Sequence, residues 1–210
     1  NKVLAEGAQG SMLDIDFGTF PYVTSSNTIS AGVCNGLGIA PRQIGEVIGV
    51  TKAYCTRVGS GPFPTELEDA TGEELRRIGN EFGATTGRPR RCGWIDLVAL
   101  RYACMINGVT QIVMTKADVL DSFAELSVCT AYEVEGKKTT EIPYQLERTK
   151  PNPCWEKFPG WSVTTSACKT YASLPDAMKT YVNFINTYLG VDVKYISNGP
   201  GRDQLVSVSN

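Results

Sequence analysis

The strongest constraint on how this chain can fold is a helix-spaced run that hands over directly to a short apolar strand. Across residues 96–107 apolar side chains recur at Leu97, Val98, Leu100, Ala103 and Cys104, the spacing of one helix face, and Asn107-Gly108 supplies a stop. Gln111-Ile112-Val113-Met114 then reads as a strand. The same order appears near the C-terminus. Ser173-Leu174-Pro175-Asp176 opens a helix with its proline tolerated in the first turn, Gly190 closes it, and residues 191–196 make the last strand. Earlier, Thr71-Gly72-Glu73-Glu74-Leu75-Arg76-Arg77-Ile78 starts on a cap residue and carries acids early and bases late, as a short helix should. Residues 47–58 read as a strand entering the Gly59-Ser60-Gly61-Pro62 turn, and Lys2-Val3-Leu4-Ala5 as a buried strand.

Helices alternating with strands predict an α/β fold, a mostly parallel sheet flanked by helices. Residues 126–134, the Glu135-Gly136-Lys137-Lys138 turn and residues 139–142 add a small β-hairpin elaboration. Residues 151–161 read as loop, with Trp155 and Trp161 as packing anchors. The expected organisation is a single α/β domain over residues 1–210, with the hairpin and loop inserted around residues 119–172.

Composition narrows the function classes. A formal net charge of -2 gives no global basic field, so no nucleic acid is expected as a partner. No apolar run is long enough to span a bilayer and the start lacks the build of a signal peptide, so no membrane association is expected. The seven cysteines, at positions 34, 55, 92, 104, 129, 154 and 168, have no paired metal-type spacing and read as reduced thiols of a cytoplasmic protein.

Chemistry concentrates in Glu81-Phe82-Gly83-Ala84-Thr85-Thr86-Gly87-Arg88-Pro89-Arg90-Arg91. Small residues let backbone approach a ligand, the threonines offer hydroxyls, and arginine forks grip carboxylate or phosphate. By itself the segment is equally a solvated surface loop. Thr115-Lys116-Ala117-Asp118 sits just past a strand end, where ligands gather in open parallel sheets. Its aspartate can accept two parallel hydrogen bonds from guanine, a pair adenine does not offer, while the lysine stem lies along the base with its ammonium in water. A charged pair ending a strand is the plainer alternative.

Together with Glu6-Gly7-Ala8-Gln9-Gly10, Thr24-Ser25-Ser26-Asn27-Thr28, Gly61-Pro62-Phe63-Pro64-Thr65-Glu66 and Ser197-Asn198-Gly199-Pro200-Gly201, these segments resemble the adenylosuccinate synthetase family, in order and separation, from about Val3 to about Val206. The resemblance implies the C-terminal part of that family's P-loop NTPase-like fold. It implies GTP-dependent joining of inosine monophosphate (IMP) and L-aspartate to adenylosuccinate by a homodimeric enzyme using magnesium. Gln9, Thr24 and Arg88 would meet IMP; Gln9 could otherwise satisfy neighbouring backbone and Thr24 be a turn hydroxyl. Ala84, Thr85, Thr86, Gly87 and Arg88 would hold L-aspartate by its carboxylates, leaving the amine free. Arg90, Lys116, Ala117, Asp118, Ser197, Asn198 and Gly199 would form the GTP site, Asn198 mainly through its backbone. Arg91 receives no contact.

In that family the phosphate-binding loop, a magnesium-binding catalytic aspartate and a catalytic histidine belong to an N-terminal half. This chain has no histidine and no glycine-rich loop ending in Lys-Ser or Lys-Thr. The expectation is therefore a recognition portion with no catalytic residue and no metal ligand, inactive alone. The alternatives are a non-catalytic module binding guanine nucleotide or IMP, and a structural dimerisation fragment.

Overall fold

The computed structural model describes residues 2–85 and 87–208. In chain order the helices are α1 (Ala31–Leu37), α2 (Ala70–Ile78), α3 (Leu97–Asn107), α4 (Leu146–Thr149) and α5 (Asp176–Leu189). The strands are β1 (Ile48–Lys52), β2 (Cys55–Arg57), β3 (Arg91–Gly93), β4 (Ile95–Asp96), β5 (Gln111–Thr115), β6 (Glu125–Val134), β7 (Lys137–Thr139), β8 (Asn152–Pro159), β9 (Val193–Ser197) and β10 (Leu205–Ser207). The main sheet runs β1-β5-β9-β10, with β1, β5 and β9 parallel and β10 antiparallel on β9. A second sheet pairs β6 in parallel with β4 and antiparallel with β7 and β8, while β2 and β3 form a two-stranded ribbon. The chain is an α/β fold of mixed sheets flanked by helices, its main sheet mostly parallel.

The long helices follow from local chemistry. Asp96 caps α3 by accepting from the Ala99 N–H, and Gly108, with φ 61°, ends it in the left-handed conformation that glycine tolerates best. On α5, Met178, Tyr181, Val182 and Ile185 recur at helical spacing and are fully buried, which stabilises the packed helix by roughly 2 kcal/mol per large side chain. Tyr181 adds a bond from its hydroxyl to the Ala53 carbonyl (2.8 Å). One core runs from Ala53 to Val206, and a smaller one gathers Val98, Cys129, Tyr132 and Leu146 under the hairpin.

Several local expectations are corrected. Residues 2–5 form no strand, and Val3 and Leu4 are exposed, because an apolar run becomes a strand only where a neighbour completes its hydrogen bonds. Residues 47–58 are two strands in two sheets, broken where Ala53 and Tyr54 turn into the core. The cap of α2 is Asp69, which accepts from Thr71 N and Gly72 N, not Thr71. Residues 152–159 are strand rather than loop: β8 pairs along most of β6, a long-range pairing that local prolines hide. Of the two tryptophans only Trp161 is an anchor; Trp155 lies partly exposed on β8. Finally, β9 is followed by β10, which closes back on it after the turn through Gly201.

Candidate functional site

Lys52 and Thr115 are register partners at the C-terminal ends of β1 and β5, and Ser197 ends β9, so three parallel strands deliver their following residues to one sheet edge. Leaving β5, Lys116 adopts φ 58°, a left-handed backbone uncommon outside glycine, and Ala117–Leu120 form a 3-10 turn. The Lys116 ammonium, expected to stay in water, donates instead to Gly79 O (2.5 Å) and Glu81 Oε1 (3.1 Å). Asp118 follows on that turn, half-buried, and burial pushes its carboxyl above the usual carboxylate range. Ala117 is buried beneath it.

Glu81 is the centre of this edge. Its side chain is fully buried, yet Oε1 accepts from Lys52 Nζ (2.7 Å), Tyr54 OH (2.5 Å) and Lys116 Nζ (3.1 Å), and Oε2 accepts from Arg90 Nη1 (2.8 Å). Burial alone would raise its pKa, but the bonds from Lys52, Tyr54 and Lys116 and the charge of Lys52 prevail and hold it at about 2. A carboxyl depressed below its ordinary value of 4.5 contributes stability that is full above that value and is lost as pH falls through about 2. The stability advantage of the wild type over Glu81→Gln is therefore expected to be constant above about pH 5 and to shrink between about pH 4 and pH 2, as read by urea melts across that range. A difference that did not change with pH would mean that Glu81 is not ionised in the folded chain.

The loop that begins at Glu81 is pinched by its own backbone. Arg90 N donates to Glu81 O (2.9 Å), Phe82 and Pro89 form an isolated bridge, Gly83 N donates to Arg88 O (2.8 Å) and Gly87 N to Gly83 O (2.8 Å). This leaves Ala84, Thr85, Gly87 and Arg88 exposed at the tip. The expectation for Thr86 lies outside the described residues.

A second turn meets this loop. A Cβ built at Gly59 would lie 4.0 Å from Arg88 Nη1, so the Arg88 guanidinium sits over Gly59. Gly61, at φ 110°, is packed against Tyr22 and Arg57 so closely that a Cβ would fall 2.3 Å from Arg57 Nη2, so only glycine fits. Arg91, given no contact in the sequence reading, clamps this turn by donating to Gly59 O (3.1 Å) and Gly61 O (2.8 Å) while its other face grips Glu66.

Beyond Tyr22 lie the residues of the polar run. Gln9 Nε2 donates to Thr24 Oγ1 (3.2 Å) and Ser26 Oγ donates to Gln9 Oε1 (2.8 Å), so the two side chains expected to meet IMP meet each other. Asp14 shapes this segment: fully buried, it accepts from the N–H groups of Asp16, Phe17, Thr28 and Ile29, which hold its carboxyl below the usual range against the opposing effect of burial.

At the β9 end, Ser197 Oγ donates to Gly199 O (3.0 Å). Asn198 is fully buried. Its amide donates to Thr165 O (2.5 Å) and Cys168 O (2.9 Å), and its backbone N–H to Gln204 O (3.1 Å). The Thr165 segment is in turn tied to Asp121, three residues past Asp118. The residues missed from sequence are thus Glu81, Lys52, Tyr54, Asp121 and Asp14. Only Glu81 carried a signal, as the lone acid in a segment with three arginines.

The family model for adenylosuccinate synthetase matches residues 1–206. The chain belongs to the adenylosuccinate synthetase family. An adenylosuccinate synthetase from Parabacteroides distasonis is 56% identical over 205 residues, covering 98% of this chain and 48% of that protein. One from Cytophaga hutchinsonii is 58% identical over 203 residues, covering 96% and 47%. The solved structure of a fully ligated adenylosuccinate synthetase from Plasmodium falciparum superposes with a TM-score of 0.94 at 42% identity, over 97% of this chain and 49% of that one. The chain spans about half the length of the family members it matches.

Among the described residues no three His, Cys, Asp or Glu side chains converge as a metal site. Nor is any helix long and apolar enough to cross a membrane. All seven cysteines are free thiols.

Proposed function

We propose that this chain serves GTP-dependent ligation of IMP and L-aspartate to adenylosuccinate, supplying recognition of the guanine base, IMP and aspartate but not phosphoryl transfer. The observation that carries the reading is the convergence at one sheet edge of Lys116, Asp118 and Ser197 with Arg90 and the base of the 84–90 loop, three cations (Lys52, Arg90, Lys116) facing one buried carboxylate. Such an excess of fixed positive charge suits a nucleotide. In this reading Asp118 accepts from the guanine ring N–H and exocyclic amine, Lys116 lies beside the base, and Ala117, Ser197, Asn198 and Gly199 wall the pocket. Gln9 and Thr24, already bonded to one another, open to take the purine and phosphate of IMP.

Ala84, Thr85, Thr86, Gly87 and Arg88 hold the carboxylates of L-aspartate, and Arg88, over Gly59, reaches the nucleotide as well. Gripping only the carboxylates leaves the aspartate nitrogen free of protein contacts, so that once it has given up its proton to a base it can displace the activated purine oxygen. When bound, magnesium would neutralise the phosphate charge in such a transfer. That residues 1–210 act as one unit is supported by the core from Ala53 to Val206 and by the bonds of Ser30 to Asn107, which tie the N-terminal segment to α3. The homodimer and the cytoplasmic location belong to the same reading, supported by the family and, for location, by the free thiols.

The test supplies the purified chain with GTP, IMP, L-aspartate and magnesium, and measures adenylosuccinate formation beside GDP binding by calorimetry. Binding without turnover is the expected result. Turnover would overturn the division of labour, and absence of both would favour a structural fragment. In an enzyme of the relatives' full length carrying this segment, Arg88→Leu is expected to raise KM for aspartate by about 10- to 100-fold, the loss of one charge-assisted bidentate contact. A defect confined to GTP would move Arg88 to the other pocket.

A further inference from the structure

Glu81 carries no ligand role in the proposed function, yet it bonds two of the cations assigned to guanine nucleotide. Its carboxylate is fully buried, while the side chains it holds keep 30% (Arg90) and 35% (Lys116) of their surface. Each cation therefore has its charged end fixed on a rigid buried group, Lys116 through its ammonium and Arg90 through Nη1, while about a third of each side chain remains exposed. The two are held on different oxygens, Arg90 on Oε2 and Lys116 on Oε1, and the second donor on Oε1 from Tyr54 fixes the carboxylate plane. Lys52 shares Oε1 and is braced by Thr56 Oγ1 (2.9 Å). Glu81 also sits at the foot of the 84–90 loop, paired by its own carbonyl to Arg90 N (2.9 Å).

We propose that Glu81 is a positioning residue for a guanine nucleoside diphosphate or triphosphate, aiming Lys116 and Arg90 into one pocket and tying the foot of the 84–90 loop to the end of β5. The inference deepens the proposed function and rests on that reading. A buried ion pair is by itself weak evidence of stabilisation, since desolvation offsets much of the attraction. What distinguishes this one is that a single acid orders three cations which, without it, would repel one another and spread apart. Glutamine cannot replace it: the amide has one acceptor, and its NH2 would face either Arg90 or the lysines, all of them donors. Aspartate keeps the charge but draws the carboxylate back by one methylene, out of reach of at least one cation.

The experiment is titration of the 210-residue chain with a fluorescent N-methylanthraniloyl GDP, with a thermal melt on every variant. Glu81→Gln is expected to weaken binding by about 10- to 30-fold, and Glu81→Asp, whose preserved charge favours folding, by a similar factor. In a Lys116→Met background the same Glu81→Gln change should cost at most a third of that factor, because part of what Glu81 positions is already gone. A purely structural role would lower the melting temperature without this coupling. Folded Glu81 variants that bind within twofold of wild type overturn the inference and leave the guanine reading standing. So does a loss that is undiminished in the Lys116→Met background. Failure of the wild type itself to bind overturns the guanine reading, and the inference with it.

Discussion

Asp118→Asn is expected to reverse base preference, weakening GDP and strengthening xanthosine diphosphate so that the ratio of affinities swings by about 100-fold or more, two charge-assisted hydrogen bonds at roughly 1.5 kcal/mol each. The carboxylate accepts both guanine donors. Its amide counterpart presents one donor and one acceptor, so the NH2 faces a guanine N–H, whereas xanthine turns a carbonyl toward it. The site suits this test because Asp118 is half-buried on a tight 3-10 turn whose buried neighbours Ala117, Val119 and Leu120 fix it in place. Its carboxyl is raised by burial, and guanine binds only the ionised form, so GDP affinity should climb from acid pH to a plateau. Competition titrations with both nucleotides decide it: equal affinities in the variant would remove Asp118 from base recognition.

Asp121→Ala is expected to be the most destabilising change near the site, costing about 3 to 5 kcal/mol and lowering the melting temperature by about 10 °C. The Asp121 carboxylate accepts from Trp161 Nε1 (2.8 Å), Thr165 N (2.7 Å) and Thr165 Oγ1 (2.9 Å), and both Trp161 and Thr165 are buried. Alanine leaves those donors unpaired, and each buried unpaired donor costs about 1 to 3 kcal/mol. The damage should reach the pocket, because Thr165 O in turn holds the Asn198 amide. Asp203→Ala is the control. Its pair with Lys169 involves the same stretch of chain but is mostly exposed, so its loss should barely move the melting temperature. Calorimetric melts giving equal losses for the two variants would show that the Asp121 contacts do not anchor this segment.

What was legible in the sequence was what local rules govern. Leu97 to Cys104 mark one helix face and Gly108 its stop, and the observed helix agrees because capping and amphipathic burial act within a few residues. The strand at 111–115 and the placement of Lys116 beyond it followed equally. Strand β8 did not, since Pro151, Pro153 and Pro159 punctuate it locally and its hydrogen bonds come from β6, more than twenty residues away in sequence by most of the register. The apolar Lys2-Val3-Leu4-Ala5 run failed in the opposite direction: it has the composition of a strand, but no described neighbour pairs with it.

The sequence by itself determined the α2, α3 and α5 helices, the β5 strand, the family, and which short segments carry polar chemistry, because those properties are written in residue types at close spacing. Only the tertiary structure decided how the segments work on one another. Glu81 could not be known to gather Lys52, Lys116 and Arg90, nor Asn198 to spend its amide on Thr165 and Cys168. These groups are separated by roughly ten to thirty-five positions along the chain and meet because parallel strands end together at one sheet edge. The physical reason is burial: once a carboxylate or an amide is closed off from water it must find its partners inside the fold, wherever in the sequence those partners arise.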